Sequence, residues 1–396
     1  MKQAAKPQVL ILATRIPLKS GDGTPSFVLD NAIAMAAEFD ITILAPRVQG
    51  SSRTTMHDGV TVRRFAYFPK RLEHLADDAI MPQLTRRPSL WLQAVSLVVC
   101  LTLQTLAQHL RHRPNLIHAQ WILPSALVAY LTRPITRTPY LITSQGADAF
   151  RLSSGPLRAV KSAVINGSAR FIGVSRDIAE QFPAVRTPIE VQPSGVDFAL
   201  WNHLVGERTP EDGRILFVGR LATKKGVDDA IRATVDLPGT ELRIIGDGPL
   251  SDELKELAAS SGASDRIVFL GRRTREEIGI ELKSAACLVI PSVDAPDGDR
   301  DGTPNVLGEA IAAGVPVVAS RIAGIADYVH HGETGLLHDP GDVHAFRDCL
   351  RQIVQNPDLG MTFARSALAR FKDPLDVKTV AARYGDWYRT AMPDRR

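Results

Sequence analysis

The chain alternates short apolar runs with helix-like segments, and this alternation starts again near its middle. The first series opens with VLILAT (9–14), a periodic segment FVLDNAIAMAAEF (27–39) and ITILAP (41–46). β-Branched apolar runs favour strands, whereas apolar residues at three- and four-residue spacing favour helices. This order is typical of parallel βαβ units, so the sequence predicts an α/β fold.

The second series follows Gly213. Its members, in order, are RILFVG, VDDAIRATV, LRIIG, SDELKELAAS, IVFLG, CLVIPS, PNVLGEAIAAG and VPVVAS. We therefore expect two Rossmann-like, doubly wound domains that face each other across a cleft. The predicted organisation is a first domain at 1–195, a linker at 196–213, a second domain at 214–372, and a C-terminal helix within 373–396 that returns to the first domain. Ligands of such sheets bind beyond the carboxyl ends of the strands.

Charge is unevenly distributed between the halves. Residues 1–195 contain 22 Lys and Arg against 12 Asp and Glu, and the remaining residues contain 25 against 31. This asymmetry favours an anionic partner for the first half. Charge alone leaves a membrane surface, a lipid phosphate, a nucleic acid or an ordinary solvated surface open.

The cysteines and the first apolar run favour a cellular compartment for the protein. Cys100, Cys287 and Cys349 are far apart and lack metal-ligand spacing, which favours reduced thiols in the cytoplasm. The first apolar run is too short and wrongly flanked for a secretory signal. The apolar segment 89–110 contains Gln93 and Thr105, which argue against a lipid-spanning helix. It is expected to be a buried helix or one that dips into a membrane face.

A cationic loop follows the first strand of the second domain. Gly219 ends RILFVG, and Arg220, Lys224 and Lys225 follow within six positions. Charge-assisted hydrogen bonds from such a loop suit a polyphosphate, and a solvated turn is the alternative. A later loop, Gly246-Asp-Gly248, resembles the dinucleotide fingerprint but lacks its third glycine and its first-strand position, so a nicotinamide cofactor is not expected.

The stretch DGDRDGTPNVLGEA (297–310) admits three interpretations. Asp297, Asp299, Asp301 and Gly302 match the first half of a calcium loop, but its twelfth position is glycine and Glu309 comes one residue late, which on a helix turns a side chain by about 100°. The Asp-Gly-Asp triplet could instead hold a metal on a nucleotide diphosphate. The third interpretation is an anion site at a helix start.

For that third interpretation, Thr303 is expected to cap a helix whose first residue is Pro304. The helix N-terminus and the cations Arg220 and Lys225 would then bind a diphosphate without a metal. Glu309 could accept hydrogen bonds from a ribose, and Asp301, in the preceding loop, from sugar hydroxyls. The alternative is that both carboxylates only complement the helix dipole.

The motifs of the second half resemble one family. FVGRLATKKG, LRIIGDGPL, VIPSVDAPDGDRDGTPNVLGEAIAAGVPVVASRIAGIADYV and HGETGLL, in that order, are similar to the C-terminal domain of the GT-B fold retaining glycosyltransferases of family 4. The match is tight over residues 214–340 and looser over the whole chain. The E-x7-E pair of the family falls on Asp301 and Glu309, and its diphosphate-binding Arg and Lys fall on Arg220 and Lys225.

The chain also departs from the family pattern. The glycine pair of the first βα loop is reduced to Asp22-Gly23, and the H-G-x-D motif becomes Gln145-Gly146-Ala147-Asp148. Gln120 stands where many relatives have a second histidine after His118. Glutamine donates and accepts hydrogen bonds but cannot share a proton, so sugar choice or activity could differ.

The resemblance implies a metal-independent transfer of a hexosyl unit from a UDP- or GDP-sugar to a glycan or lipid-linked acceptor held by the first domain, in synthesis of cell-surface polysaccharide or glycolipid. It implies a front-face reaction, no cofactor and no nucleic-acid partner. The implied catalytic residues are Asp301, Arg220, Lys225, Asp148 and Gln145. The implied donor-binding residues are Gly23, Gly219, Arg220, Lys225, Gly248, Arg272, Gly302, Thr303, Pro304, Asn305, Val306 and Glu309.

Two other functions remain open. A non-hydrolysing nucleotide-sugar 2-epimerase shares the two-domain architecture, and the two glutamines suggest a nucleotide-sugar-binding protein without turnover. Residues 67–95 mix Arg71, Arg86 and Arg87 with aromatic and aliphatic side chains beside the apolar segment. This mixture favours an anionic lipid-linked acceptor at a membrane face.

Overall fold

The fold is that of a computed structural model, which describes residues 5–18, 26–77, 80, 83–84, 87–150, 155–296, 298–322 and 324–393. Gly23, Asp22, Arg86 and Asp297, which the sequence singles out, lie outside the described residues.

The N-terminal domain is built on a largely parallel sheet. Its strands among the described residues are β1 (Gln8–Leu12), β2 (Asp40–Pro46), β3 (Thr54–His57), β4 (Val60–Phe65), β5 (Leu116–Gln120), β6 (Tyr140–Ser144), β7 (Arg170–Gly173) and β8 (Ile189–Val191). Their order is β3-β4-β2-β1-β5-β6-β7-β8, and only β3 pairs antiparallel. At the centre, Val9 of β1 lies opposite Ile41 and Leu116.

Helices cover both faces of this sheet. They are α1 (Phe27–Met35), α2 (Trp91–His112), α3 (Leu127–Thr136), α4 (Ala147–Phe150), α5 (Gly155–Asn166) and α6 (Arg176–Glu180). One face packs against α2, α3 and α5, and the other against α1. Because the strands are buried on both faces, they read as continuous apolar runs rather than alternating ones.

The C-terminal domain has a second parallel sheet. Its described strands are β9 (Arg214–Val218), β10 (Glu241–Ile245), β11 (Ile267–Gly271), β12 (Cys287–Ile290), β13 (Val317–Ser320) and β14 (Leu336–His338). The order β11-β10-β9-β12-β13-β14 is that of a Rossmann fold. Leu216 of β9 pairs with Arg243 and Leu288, so the strand order reverses between β9 and β12. The loops after these two strands therefore flank the crevice where ligands bind.

Helices also cover the C-terminal sheet. They are α7 (Phe198–Val205), α8 (Val227–Val235), α9 (Ser251–Ser260), α10 (Arg275–Ser284), α11 (Asn305–Ala312), α12 (Val343–Gln355) and α13 (Pro357–Leu375), and α14 (Val377–Ala391) follows. The predicted linker 196–213 contains α7, whose Phe198, Trp201 and Val205 are buried in the C-terminal core. It is thus part of that domain rather than a free connection.

The chain passes between the domains at two adjacent points. The Val196 amide donates to the Leu375 carbonyl over 2.8 Å, and the Val377 amide donates to the Val196 carbonyl over 2.9 Å. After this crossing, α14 packs on the N-terminal sheet beside α1, with Tyr384 and Tyr388 buried there. The C-terminal helix therefore ties the two domains together.

Helix α2 is the long apolar segment of the sequence. Among the described residues, Pro88–His112 is the one helical stretch long and apolar enough to cross a membrane, with a mean hydropathy of 1.7. One side of this helix, including Gln93, Leu97, Leu101 and Thr105, is buried against the domain. The other side is exposed.

Candidate functional site

The predicted site lies where the C-terminal sheet reverses its strand order. The loop after β9 carries Lys224 and Lys225, and the loop after β12 carries Ser292 and Asp301. Loops of the N-terminal domain after β6 and β7 face them. The carboxyl ends of strands from both domains therefore meet at one cleft.

Asp301 is the centre of an ionic cluster. Its Oδ2 atom accepts from Lys225 Nζ over 2.7 Å and from Ser292 Oγ over 2.8 Å, and Lys224 Nζ lies 3.4 Å from Oδ1. Lys224 also donates to Asp299 over 3.2 Å. The cluster joins the β9 loop to the β12 loop, so the predicted phosphate-binding lysine and sugar-binding aspartate are neighbours.

Burial and charge act in opposite directions on this cluster. Burial alone would raise the pKa of Asp301, but Lys225 and Lys224 hold that pKa below its usual range. Burial alone would likewise lower the pKa of Lys224, whereas Asp301 and Asp299 raise it. Asp301 and Lys224 are therefore both charged at neutral pH.

Helix α11 starts differently from the sequence expectation. Pro304 occupies the N-cap position rather than the first helical position, and no side chain caps the helix. The Thr303 hydroxyl instead donates to the Val174 carbonyl of the N-terminal domain over 2.8 Å. The capping prediction for Thr303 is therefore wrong, because the hydroxyl finds its acceptor across the cleft. The first amides of α11, at Asn305 and Val306, stay free of a side-chain cap and can bind an anion.

Gly302 lies where the two domains touch. A Cβ atom on Gly302 would lie 2.9 Å from Val174 Cγ2 and 3.2 Å from the Gln145 carbonyl oxygen. Gly146, with φ of +127°, packs against the Gly302 amide from the other side. Only glycine fits at Gly302 without movement of the neighbouring loop, so this residue permits close approach of the domains.

Glu309 lies in the second turn of α11 and is half-buried. No described residue forms a hydrogen bond or ion pair with its carboxylate. Burial raises the pKa of Glu309 to about 7, an effect that nearby Arg275 opposes and nearby Asp30 reinforces. A half-buried carboxylate that no described residue engages is available to accept hydrogen bonds from a ligand, such as a ribose diol.

Arg275 connects the C-terminal domain to the N-terminal domain near Glu309. It forms an ion pair with Asp30 of α1 and a hydrogen bond with the Ser26 hydroxyl, which itself donates to Asp30 over 2.7 Å. Burial would lower the pKa of Arg275, but Asp30 and, more weakly, Glu309 raise it. The contact of Arg275 with Asp30 was not predicted from the sequence, because 245 residues separate the two.

The glutamines that replace histidines form a chain of hydrogen bonds. Gln145 Nε2 donates to Gln120 Oε1 over 3.3 Å, and Gln120 Nε2 lies 3.3 Å from His118 Nε2. The chain continues to Thr143 and Tyr388, which contact the two nitrogens of His118 at 2.8 and 2.6 Å. Burial lowers the pKa of His118 to about 3, so this imidazole is neutral.

These side chains border a small polar cavity. It has room for about one water molecule, with about 10 Å³ available to the centre of that molecule, and Asn31, Gln120 and Gln145 are part of its wall. The Asn31 Oδ1 atom is buried there without a hydrogen-bond partner.

Asp148 holds the Gln145 loop in place. Its Oδ1 atom accepts from the amides of Gln145 and Gly146 over 3.1 Å each, and its Oδ2 atom accepts from the Ile122 amide over 2.8 Å. Burial raises the pKa of Asp148, while these amides lower it. Geometry favours a positioning role, and the catalytic role implied for Asp148 stays a prediction.

Other predicted donor residues lie around the cluster. Arg220 is half-buried in the β9 loop, beside Gly219. Gly248 packs against the backbone of Leu221, where a Cβ atom would lie 2.2 Å from the carbonyl oxygen. Arg272 is exposed and lies 3.5 Å from Asp247. Gly219 and Gly248 thus shape the floor of the crevice, and Arg272 lies at its edge.

Two carboxylates of the calcium interpretation, Asp299 and Asp301, have lysine counter-ions, and a third, Asp297, lies outside the described residues. Ser292 was not singled out from the sequence, where it appears only as the last residue of the run CLVIPS.

Two family models together match most of the chain. Residues 205–370 match the model for glycosyl transferases group 1, and residues 22–195 match the model for a glycosyl transferase 4-like domain. The matches correspond to the two structural domains.

Individual proteins with similar sequences or structures are glycosyltransferases as well. The chain is 31% identical over 300 residues to a glycogen synthase of Mycobacterium tuberculosis, covering 72% of this chain and 70% of that protein. It is 35% identical over 171 residues to AmsK of Erwinia amylovora, an amylovoran biosynthesis glycosyltransferase, covering 42% of each chain. HepE of Anabaena, solved in complex with UDP-glucose, superposes with a TM-score of 0.73 at 18% identity, covering 97% of this chain and 99% of HepE. The last similarity shows the shared GT-B fold.

Proposed function

The chain belongs to the glycosyl transferases of group 1, a GT-B family, and we propose that it is a retaining enzyme that moves a hexosyl unit from a UDP- or GDP-sugar to a glycan or lipid-linked acceptor. One observation carries this proposal. Lys225 binds Asp301 just before the uncapped start of α11, and the same helix carries Glu309 in its second turn. Cations and helix amides suit a diphosphate, and the half-buried carboxylate of Glu309 suits the ribose.

Two observations support a nucleotide diphosphate sugar as the donor. The HepE neighbour was solved with UDP-glucose, and the cluster on this chain offers positive charge where a diphosphate would lie. Arg220 and Lys225 would stabilise the charge that develops on the leaving diphosphate, an electrostatic contribution to catalysis. Lys225 and Ser292 both bind Oδ2 of Asp301, and Lys224 approaches Oδ1 at 3.4 Å, so Oδ1 keeps a second lone pair for a sugar hydroxyl.

Retention follows, in this proposal, from a front-face reaction. The diphosphate leaves an oxocarbenium-like sugar, the acceptor oxygen forms the new bond on the same face, and a leaving phosphate oxygen takes the acceptor proton. The protein supplies position and charge rather than a nucleophile. Lysine side chains replace a metal as counter-ions, so EDTA should leave turnover unchanged, whereas loss of activity in EDTA with rescue by calcium or manganese would refute metal independence.

A role in polysaccharide or glycolipid synthesis is proposed from the relatives. Glycogen synthase and the amylovoran enzyme are both named for polysaccharides. The basic N-terminal domain would hold the acceptor, and a cytoplasmic setting would give access to nucleotide sugars.

Two measurements test the proposal. Thermal unfolding with UDP, GDP and ADP separately should give one clearly largest stabilisation, since a ligand raises stability by mass action. Release of that nucleotide from its sugar should then require an acceptor. Release or sugar isomerisation without an acceptor would favour an epimerase, and binding without any product across many acceptors would favour a non-catalytic protein.

A further inference from the structure

Helix α2 exposes apolar residues, although it lies on the surface of a domain. The residues of α2 that are exposed from its start to Leu110 are Trp91, Leu92, Val95, Val99, Leu103 and Leu110, and each is more than half exposed. A surface helix normally turns its apolar stripe to the core and its charged residues to water. Here all the exposed positions between Trp91 and Leu110 are apolar.

The buried side of α2 includes the polar residues Gln93, Thr105 and Gln108. Gln93 accepts from the amides of His74 and Leu75 and donates to the Leu72 carbonyl, while Gln108 accepts from Arg63. These hydrogen bonds hold α2 in one rotation about its own axis. In that rotation the apolar stripe faces outward.

Helix α3 continues the stripe. It packs beside α2 on the same face of the sheet, and its exposed residues include Tyr130, Leu131 and Ile135. The exposed apolar residues of α2 and α3 together are called the apolar outer face below. A contiguous apolar surface of this kind marks an interaction site.

The segment that carries the apolar outer face is strongly basic. Residues 79–176 contain 11 Lys and Arg and only one acidic residue, Asp148, which lies beside the cleft. Arg87 precedes α2, Arg111 and Arg113 follow its apolar stripe, and Arg133 and Arg137 lie at the end of α3, all exposed. Outside this segment the first 195 residues carry equal numbers of acidic and basic residues, 11 of each.

We propose that the apolar outer face docks on an anionic lipid bilayer, with α2 and α3 lying in the interface plane and the arginines among the headgroups. A face with exposed tryptophan and leucine and a basic surround suits the boundary between headgroups and acyl chains. The positive surround binds anionic lipid and repels a second copy of the same face. Helix α2 does not cross the bilayer, because Leu97 and Leu101 are packed in the core.

Topology also orients the cleft. Helix α2 runs into β5, so its Trp91 end lies at the carboxyl edge of the sheet, where Gln120 and Gln145 face the cleft. Docking would therefore bring the mouth of the cleft to the lipid surface, which suits a lipid-linked acceptor. The suggestion of a lipid-linked acceptor rests on the proposed function. Membrane docking itself does not.

Docking is tested by flotation of the full chain with vesicles of phosphatidylcholine, with and without phosphatidylglycerol, in the absence of donor and acceptor. We expect binding only to the anionic vesicles, weaker in high salt. Val99→Glu/Leu103→Glu should abolish it. The matched control, Met56→Glu/Ile280→Glu, adds the same charge at exposed apolar positions elsewhere and should bind normally. Each of Arg111→Gln and Arg137→Gln should weaken binding about five-fold.

Tryptophan fluorescence gives a second readout. Brominated lipid should quench the wild type, and Trp91→Phe should remove most of that quenching. Nucleotide-induced thermal stabilisation should be the same in Val99→Glu/Leu103→Glu as in wild type, which separates docking from donor binding. Absent binding, binding indifferent to lipid charge, or a dimer that the double variant dissociates would overturn the proposal.

Discussion

Lys225 Nζ donates to Asp301 Oδ2 over 2.7 Å and so joins the loops that follow β9 and β12, the two strands between which the C-terminal sheet reverses. The residue proposed to bind the diphosphate is thus paired with the residue proposed to bind the sugar. A donor that enters the crevice meets this pair already assembled, so little reorganisation is needed to place positive charge beside the diphosphate.

Lys225→Ala should lower turnover by at least about 100-fold, because a preorganised cation is lost where charge develops on the leaving group. Lys255→Ala removes the same charge from an exposed position of α9 and should leave turnover unchanged. Steady-state kinetics on both variants decides the matter. Equal kinetics in the two would place Lys225 outside the site.

Asp301→Asn should reduce turnover more than donor affinity, because contacts to the sugar strengthen as positive charge develops on it. The variant should also lose about 1–3 kcal/mol of unfolding free energy, since the buried lysines lose a charged acceptor. Asp299→Asn makes the same change two residues away, where the carboxylate pairs with Lys224. It should be mild in both respects, and a defect as severe as that of Asp301→Asn would contradict the assignment.

Donor binding should depend on pH through Glu309, whose pKa is raised to about 7. If the ribose is bound by the ionised carboxylate, affinity for a nucleotide sugar should rise about ten-fold from pH 6 to pH 8. In Glu309→Gln this dependence should be absent. Conversely, the unfolding free energy of the apo protein should fall as pH rises from about 4.5 to 7, because the folded state binds the extra proton in that window. Titration calorimetry and urea unfolding measure the two effects, and a pH dependence retained by Glu309→Gln would assign it to another group.

The C-terminal helix should depend on the pair formed by His118 and Tyr388. Tyr388→Phe should cost about 1–2 kcal/mol of unfolding free energy, because a buried imidazole nitrogen loses its partner at 2.6 Å. Burial lowers the pKa of His118 to about 3, so stability should fall as pH decreases from about 6.5 towards 3, where only the unfolded chain binds the proton. Urea unfolding of wild type and Tyr388→Phe checks both, and an exposed control is Tyr130→Phe.

The regular elements were predictable where periodicity is strong. The expected segments VDDAIRATV, SDELKELAAS and IVFLG coincide with α8, α9 and β11. The hairpin of β3 and β4 was not predicted, because β3 is short and largely exposed and so lacks an apolar run.

The site was predictable only as far as local sequence determines it. Neighbouring strands bring Lys225 and Asp301 together, as the alternation implied. Thr303 was misassigned as a cap because its acceptor, the Val174 carbonyl, is 129 residues away. The Arg275–Asp30 pair is likewise a contact between domains, and such contacts leave no periodic signal in the chain.

The measurement that tests the central claim most directly is the donor affinity of Glu309→Ala by titration calorimetry, with Glu333→Ala as an exposed control. The nucleotide is the one that most stabilises the wild type. Loss of a charged acceptor for the ribose should weaken binding by about 1.5–3 kcal/mol, or roughly 10- to 150-fold in Kd, with the thermal stability of the apo protein retained. Wild-type affinity in Glu309→Ala would contradict the placement of the nucleotide at the start of α11.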